Sequence, residues 1–351
     1  MPLVSIIIPA YNTASYIHRA IESSLRQTHS NIEAIVIDDG STDDTLRVAL
    51  SYAERDSRVR VYHQTNAGVS VARNHGMREA HGEYLMFLDS DDWLEENAVE
   101  FLLSEQLWHP DMMIAADVFK AYFDAKNNGI LRRKPYREVL PTRLFDVEGT
   151  LYASIKFMML NFYPKIFRRD VIDENNISFH EGIHYGEDQL FVFSYLVCMN
   201  GTAFFSRPLL NYLKRPGSAM STPLPQRKSN RENLYTLMIN NPKNTPAIRE
   251  ALKKYHASRS LSLISRAIKL GESDKYIRDV LRRERPFTHC FLTLDTVSVK
   301  EKISYIIKMF FPVPIVKYTF RTWERIKSFM KISHDDIDVN DSDEIVADWL
   351  Q

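Results

Sequence analysis

The chain has 351 residues, of which 44% are apolar and 26% are charged. These values are typical of folded globular proteins and exclude wholesale disorder or a fibrous repeat. The length allows two or three domains. Lys plus Arg equals Asp plus Glu at 45 each, so the net charge gives no reason to expect nucleic acid as a partner.

The two cysteines and the N-terminus indicate a reducing compartment. Cys198 and Cys290 have no nearby cysteine partner, which argues against a zinc knuckle or a disulfide framework. The apolar run before Pro9 is too short for a signal peptide and lacks a basic flank. We therefore predict a cytoplasmic protein.

Residues 1–118 alternate β-branched apolar runs with apolar residues at helical spacing. The predicted strands cover residues 3–8, 33–37, 58–62, 84–88 and 112–118. Helices are predicted between them, capped by Thr13 or Ser15 in the first and by Ser41 in the second, with a last one over 95–107. This order predicts an α/β fold, a mostly parallel Rossmann-like sheet with helices on both faces.

Polar residues follow three of these strands at the point where each one ends. They are Pro9-Ala10-Tyr11-Asn12, Asp38-Asp39 and Asp89-Ser90-Asp91. Ligands of open α/β sheets bind outside the carboxyl ends of the strands, so these residues are expected to lie together. A Tyr11 ring can pack on a base, and paired acids can accept from a base N–H or from ribose hydroxyls. The alternative for Asp38-Asp39-Gly40 is a turn before a helix.

The Asp89-Ser90-Asp91 triplet is the strongest sign of a metal site. Two carboxylates at a strand end provide the oxygen ligands that Mg²⁺ or Mn²⁺ prefers, and one cation can bridge them to a diphosphate. No Gly-x-Gly-x-x-Gly or P-loop follows the first strand, which argues against a dinucleotide or P-loop site.

Four runs together resemble the family 2 glycosyltransferases of bacterial polysaccharide synthesis, which have the GT-A fold. The resemblance covers roughly residues 1–220 and is most specific in the first 110. The runs are Val4-Ser5-Ile6-Ile7-Ile8-Pro9-Ala10-Tyr11-Asn12, Ile37-Asp38-Asp39-Gly40-Ser41-Thr42-Asp43, Asn66-Ala67-Gly68 with Ala72-Arg73-Asn74-His75-Gly76, and Gly82 through Asp92.

The resemblance implies a role for several of these positions. Asp39 would accept from the uracil ring, Tyr11 would lie against the base, Arg73 near the nucleotide, Asp89 at the ribose or sugar, and Asp91 on the metal. The full expected donor-binding set is Pro9, Ala10, Tyr11, Asn12, Asp38, Asp39, Asn66, Arg73, Asp89, Ser90, Arg215 and Ser218, with Asp91 and Asp89 as metal ligands.

Further along the chain, Gly186-Glu187-Asp188 resembles the family's Glu-Asp motif, in which one acid is the base for the acceptor hydroxyl. We expect Asp188 to be that base, with Glu187 as its neighbour; adjacent acids at a helix start could instead be ordinary N-terminal charges. Arg215 and Ser218 resemble a segment that reaches the diphosphate, with a solvated loop as the alternative. His184 could complete the metal site, although a single His is more often structural.

The chain is predicted to divide into three parts. Residues 1–225 form the catalytic domain, with a nucleotide-sugar half (1–118) and an acceptor-side half (119–225); 226–332 form a helical, basic region, and 333–351 an acidic tail. Residues 249–332 hold 19 Lys/Arg against 8 Asp/Glu. Between 297 and 332 these bases alternate with aromatics, as in a segment that lies on an anionic membrane face. Packing as a helical bundle or as an oligomer contact is the alternative.

These features predict a metal-dependent, inverting glycosyltransferase. It would move a hexosyl or N-acetylhexosaminyl group from a nucleotide donor, UDP-linked, to a glycan or lipid-linked glycan in cell-surface polysaccharide synthesis, at the inner face of the membrane. Two alternatives are a nucleotidyltransferase of similar fold, which would need a basic Gly-rich loop after the first strand, and a non-catalytic glycan-assembly subunit, which would have lost its acids.

Overall fold

The computed structural model describes residues 1–124, 129–135, 142–157, 160–161, 164–183, 186–214, 234–269, 273–284, 313–314 and 316–318. Two groups of sequence predictions fall outside them. They are the site residues His184, Arg215 and Ser218, and nearly all of the basic segment 297–332 with the acidic tail.

The described residues contain ten strands and nine longer helices. The strands are β1 (Val4–Ala10), β2 (Ile32–Asp39), β3 (Val59–Gln64), β4 (Tyr84–Phe87), β5 (Trp93–Leu94), β6 (Met113–Asp124), β7 (Gly129–Pro135), β8 (Arg143–Phe145), β9 (Lys165–Arg168) and β10 (Thr202–Lys214). The helices are α1 (Ile17–Leu25), α2 (Thr45–Ala53), α3 (Val69–Glu79), α4 (Ala98–Trp108), α5 (Val147–Phe157), α6 (Arg169–Glu174), α7 (Glu187–Leu196), α8 (Pro246–Lys269) and α9 (Asp274–Glu284).

One sheet joins these strands in the order β3-β2-β1-β4-β9-β6-β10-β5, with β7 beside β6 and β8 beside β10. The first four strands are mutually parallel, and β6 is parallel to β10. Strand β9 runs antiparallel between β4 and β6. The predicted α/β architecture is confirmed, and the carboxyl ends of β1, β2, β3 and β4 all meet at one edge.

Alternation along the strands places helices on both faces of the parallel half. Ile6, Ile8, Ala34 and Val36 belong to one buried cluster with α1 residues and with Ala49 of α2. On the opposite face Gly76 of α3 lies so close to β1 that a Cβ there would stand 2.4 Å from Ile7 Cγ2. Glycine at 76 therefore sets how closely α3 approaches the sheet.

Both predicted caps are wrong, and for the same reason. Helix α1 begins at Ile17 and α2 at Thr45, without a side-chain cap. The N–H groups of Tyr16 and Ile17 donate to the Thr13 carbonyl instead. Ser41 is likewise used elsewhere, since its hydroxyl accepts from the Asn12 N–H at 3.0 Å. The polar groups before both helices link two neighbouring loops rather than cap helix ends.

The chain forms two compact units. The first comprises Met1–Thr150 and Met159–Asn244, and the second Leu151–Met158 and Thr245–Gln351. In the second unit α8 and α9 confirm the predicted helical character, with Leu252, Tyr255 and Ile268 buried as expected. Lys317 Nζ donates to Asp274 Oδ1 at 2.6 Å there. No helix among the described residues is both long and apolar enough to cross a bilayer.

Candidate functional site

The loops that follow β1 and β2 are hydrogen-bonded to each other at the predicted site. Asn12 adopts the left-handed region with φ of 51°, a conformation that Asn tolerates better than most residues. Its Oδ1 accepts from the Thr42 N–H at 2.8 Å. The Asp43 carboxylate accepts from the Ala14 N–H at 3.1 Å. These bonds hold Tyr11, half exposed at 50%, at the edge of the sheet.

Pro9 and Ala10 are the last residues of β1 and are buried between β2 and the helices. Their register places Ala10 opposite Asp38. Both residues therefore support the site from within the sheet, and the first exposed side chain after β1 is Tyr11.

The Asp39 carboxylate organises the loop that leads into α3. Its Oδ1 accepts from the Ala67 N–H and from Gln64 Nε2, both at 2.8 Å, and its Oδ2 accepts from the Gly68 N–H at 2.9 Å. Asn66 Nδ2 donates to the Asp39 carbonyl. Asp39 and Asn66 are thus brought together as predicted from the sequence, and three of the carboxylate's four lone-pair positions already have protein donors.

Asp38 lies on the other face of β2 and is fully buried. Its Oδ2 is 2.7 Å from Nδ1 of His63, the residue paired with it on β3. More than half of the His63 side chain is exposed. His63 is a site residue that the sequence analysis missed, because only the β2–β3 register brings it beside Asp38.

The acidic run after β4 separates into exposed and buried members. Asp89 is 48% exposed, Ser90 is buried and Asp91 is half-buried. Asp92 is buried, and its Oδ1 accepts from the Leu213 N–H at 2.9 Å. Asp92 therefore attaches the run to β10, and Asp89 and Asp91 are the carboxylates accessible to a ligand.

Arg73 joins this acidic run to the Glu-Asp motif. The arginine is buried in α3, and its Nη2 donates to Asp89 Oδ1 at 2.9 Å while Nη1 donates to Glu187 Oε1 at 3.0 Å. Its guanidinium also lies 5.3 Å from the Phe179 ring centroid. Burial alone would favour the neutral form, but Asp89 and Glu187 raise the pKa of Arg73. One cation therefore holds acids that are 98 positions apart in the sequence together.

Glu187 and Asp188 occupy the first turn of α7. The helix is preceded by Gly186 at φ 86°, where a Cβ would also lie 2.7 Å from the Leu234 side chain, so only glycine fits this turn. Burial, and then the charge of Asp188, raise the pKa of Glu187 to about 7, against the lowering effect of Arg73. A carboxyl with a pKa this close to neutrality is typical of functional sites.

Two residues near Arg73 were also missed. Asn74 and Phe179 pair through their polar groups, and Phe179 stacks on Phe191 of α7. Asn74 stands inside the Ala72-Arg73-Asn74-His75-Gly76 run, which was a usable signal. Phe179 precedes the Glu-Asp motif in a segment without periodicity, and nothing in the sequence marks it.

Comparisons with known proteins identify the family. Residues 5–175 match the family described as Glycosyl transferase family 2. An uncharacterized glycosyltransferase of Haemophilus influenzae is 35% identical over 176 residues, covering 48% of this chain and 69% of that protein. The uncharacterized glycosyltransferase EpsJ of Bacillus subtilis is 29% identical over 332 residues, covering 89% of this chain and 96% of that protein. The chain belongs to glycosyl transferase family 2.

A solved structure shares the fold. The crystal structure of S. aureus TarS 1-349 in complex with UDP-GlcNAc superposes with a TM-score of 0.68 at 21% identity. The match covers 97% of this chain and 95% of that one. The GT-A architecture predicted from the sequence is confirmed.

Proposed function

We propose that this protein transfers a hexosyl or N-acetylhexosaminyl group from a UDP-linked donor, with inversion, to a glycan or lipid-linked glycan in cell-surface polysaccharide synthesis. The observation that carries the proposal is the Arg73 bridge, which places the acids of a diphosphate-binding turn beside the acids of a general-base turn. The TarS structure that shares the fold contains UDP-GlcNAc.

The donor's base is proposed to lie against the Tyr11 ring at the ends of β1 and β2. Asp39 holds the 66–68 loop by three hydrogen bonds, and its remaining acceptor position is the one that would take the uracil N–H. A carboxylate already aligned by protein donors is preorganised for this contact. Removing it should disturb both the loop and the base.

The diphosphate is proposed to lie at Asp89 and Asp91, with Mn²⁺ or Mg²⁺ as the bridging cation. The donor set fits such an ion, because carboxylate oxygens are the ligands that hard divalent cations prefer. Among the described residues, no group of three or more His, Cys, Asp or Glu side chains could hold a metal without further ligands. A cation held by Asp89 and Asp91 would therefore take its remaining ligands from the donor and water, and it would neutralise the leaving diphosphate.

The acceptor is proposed to approach from the α7 side. Asp188 takes the proton of the acceptor hydroxyl, the oxygen forms a bond to the anomeric carbon, and the bond from that carbon to the diphosphate breaks. Attack from the face opposite the leaving group inverts the anomeric configuration. Glu187 is held by Arg73 at 3.0 Å, which favours an anchoring role for Glu187 and the role of base for Asp188.

The two alternative functions lack supporting features. A nucleotidyltransferase would need a basic, Gly-rich loop after β1, and that loop is Tyr11-Asn12-Thr13-Ala14, hydrogen-bonded to the loop after β2. A non-catalytic assembly subunit has no use for a buried arginine between two acidic motifs, since burying such charges costs free energy unless they act or are fully paired.

The proposal is tested first by a thermal-shift screen of nucleotide sugars with and without Mn²⁺. A ligand that binds the native state raises the apparent melting temperature by mass action, so UDP-linked donors should stand out, and only with metal. Equal shifts from CDP-, GDP- and UDP-linked sugars would contradict the donor assignment.

Two matched variants then test the base. Asp188→Asn should leave donor binding nearly unchanged and lower kcat by at least about 10²-fold, the low end of a general base's contribution. Asp173→Asn, an exposed change on α6, is the control. A larger loss in Glu187→Gln than in Asp188→Asn would move the base by one residue.

A further inference from the structure

Asn74 makes a reciprocal pair of hydrogen bonds with the backbone of one distant residue. Its Nδ2 donates to the Phe179 carbonyl at 2.9 Å, and the Phe179 N–H donates to its Oδ1 at 2.8 Å. Both bonds are buried and join residues 105 positions apart. Phe179 lies outside helices and strands, so this side chain supplies the partners that a neighbouring strand would otherwise provide.

The ring of Phe179 then determines what lies around it. It stacks on Phe191 with a centroid distance of 4.1 Å and an interplanar angle of 2°. It meets Phe87 of β4 edge-on at 5.1 Å, and the Arg73 guanidinium lies 5.3 Å away. Phe179 therefore contacts the strand that ends at Asp89, the helix that begins at Glu187, and the arginine between them.

Phe191 is four residues after Glu187 and hence one helical turn further along α7. A shift of Phe179 would be transmitted through this stacked pair to the start of the helix. Asn74 precedes Gly76, the residue that lets α3 approach β1 closely, so the amide stands on a rigidly packed helix. A residue on the donor side of the sheet thus fixes the segment that carries the base.

We infer that Asn74 is a positioning residue of the transfer reaction: its amide holds Phe179 so that α7 presents Glu187 to Arg73 and Asp188 to the acceptor. Asn74 itself is 7% exposed, and both polar atoms of its side chain are used on Phe179. It acts through Phe179 and touches no reacting atom. This inference rests on the proposed function.

The chemistry of the amide explains why asparagine is suited to this position. Only a side chain with one donor and one acceptor on a short stem can match the N–H and C=O of a single residue. An aspartate would keep the bond from the Phe179 N–H but turn an oxygen toward the Phe179 carbonyl. An alanine would leave both backbone groups without their partner.

The test compares Asn74→Ala and Asn74→Asp with a control asparagine. Asn175 is the control, since its Nδ2 donates to the Val171 carbonyl four residues earlier and serves only its own helix end. We expect kcat for transfer from a UDP-sugar to fall about 10²-fold in both Asn74 variants, the loss that a misplacement of about 1 Å can cause. The Kd for UDP should stay within about threefold, and Asn175→Asp should keep kcat within about threefold.

A second measurement does not depend on activity. Amide hydrogen exchange in residues 177–183 and in the first turn of α7 should accelerate in the Asn74 variants and stay unchanged in Asn175→Asp. Unchanged exchange in those segments, or a kcat loss no larger than that of Asn175→Asp at equal loss of thermal stability, would overturn the inference. Absence of transfer by the wild-type enzyme from every nucleotide sugar would instead overturn the proposed function.

Discussion

Replacing Arg73 by Met should destabilise the protein in a pH-dependent way. The substitution keeps an elongated side chain but removes the two charged hydrogen bonds, to Asp89 and to Glu187. Asp89 is about half exposed and can be rehydrated, so its bond contributes little. Glu187 is 12% exposed and would be left as an unpaired buried charge. Breaking a fully buried pair costs about 3–5 kcal/mol, and we expect about 3 kcal/mol here.

The pH dependence follows from the pKa of Glu187. That pKa is raised to about 7 in the folded protein from a usual 4.5, so its protonation stabilises the fold below 4.5 and this contribution is lost as the pH rises through 7. Arg73 lowers the pKa of Glu187, and its removal would raise it further. In Arg73→Met the carboxyl can take a proton at about pH 5.5, which limits the loss, but not at about pH 8.

Urea unfolding at these two pH values measures the effect. The free-energy loss should be at least about twofold larger at the higher pH, and the double variant with Glu187→Gln should recover most of the difference. Arg78→Met, an exposed change on the same helix, is the control. A loss that is equal at both pH values, or no larger than that of Arg78→Met, would refute the account of the bridge.

Three further changes test other parts of the site. Asp91→Asn should abolish metal-dependent turnover, because a carboxylate ligand of the cation is lost, and full activity after EDTA treatment would contradict this. Asp39→Asn should weaken UDP binding by about 1–3 kcal/mol in calorimetry, whereas an unchanged Kd would limit Asp39 to holding the 66–68 loop. Neutralising Lys300, Lys302, Lys308 and Lys317 to Gln should reduce co-sedimentation with anionic liposomes by about 1 kcal/mol per charge; equal recovery with neutral vesicles would favour a packed helical region.

The parallel half of the fold was predictable because its strands are buried on both faces. Such strands appear as continuous apolar runs, and Val4–Ala10 and Ile32–Asp39 differ from their predicted limits by only one or two residues. The acids after the strands were found for the same reason, since parallel strands bring their carboxyl ends together. Fold topology converted sequence distance into proximity without any side-chain information.

The caps and the bridging contacts could not be predicted in this way. Ser41 has an ordinary capping sequence, yet its hydroxyl binds a loop 29 positions earlier. Strand β9 is a four-residue segment that pairs antiparallel with β4 and β6, and no local pattern sets that partner choice. The Arg73–Glu187 pair depends on this insertion, because β9 and the α7 segment close the site from a distant part of the chain.

The most direct test of the central claim is the product's anomeric configuration. The enzyme would be incubated with Mn²⁺, the donor selected by the thermal screen and a glycan acceptor, and the new linkage followed by proton NMR. A UDP-α-sugar should yield a β-linked product only when metal is present, with UDP released in equal amount. An α-linked product, or sugar transfer that is unaffected by EDTA, would contradict the single-displacement account of this site.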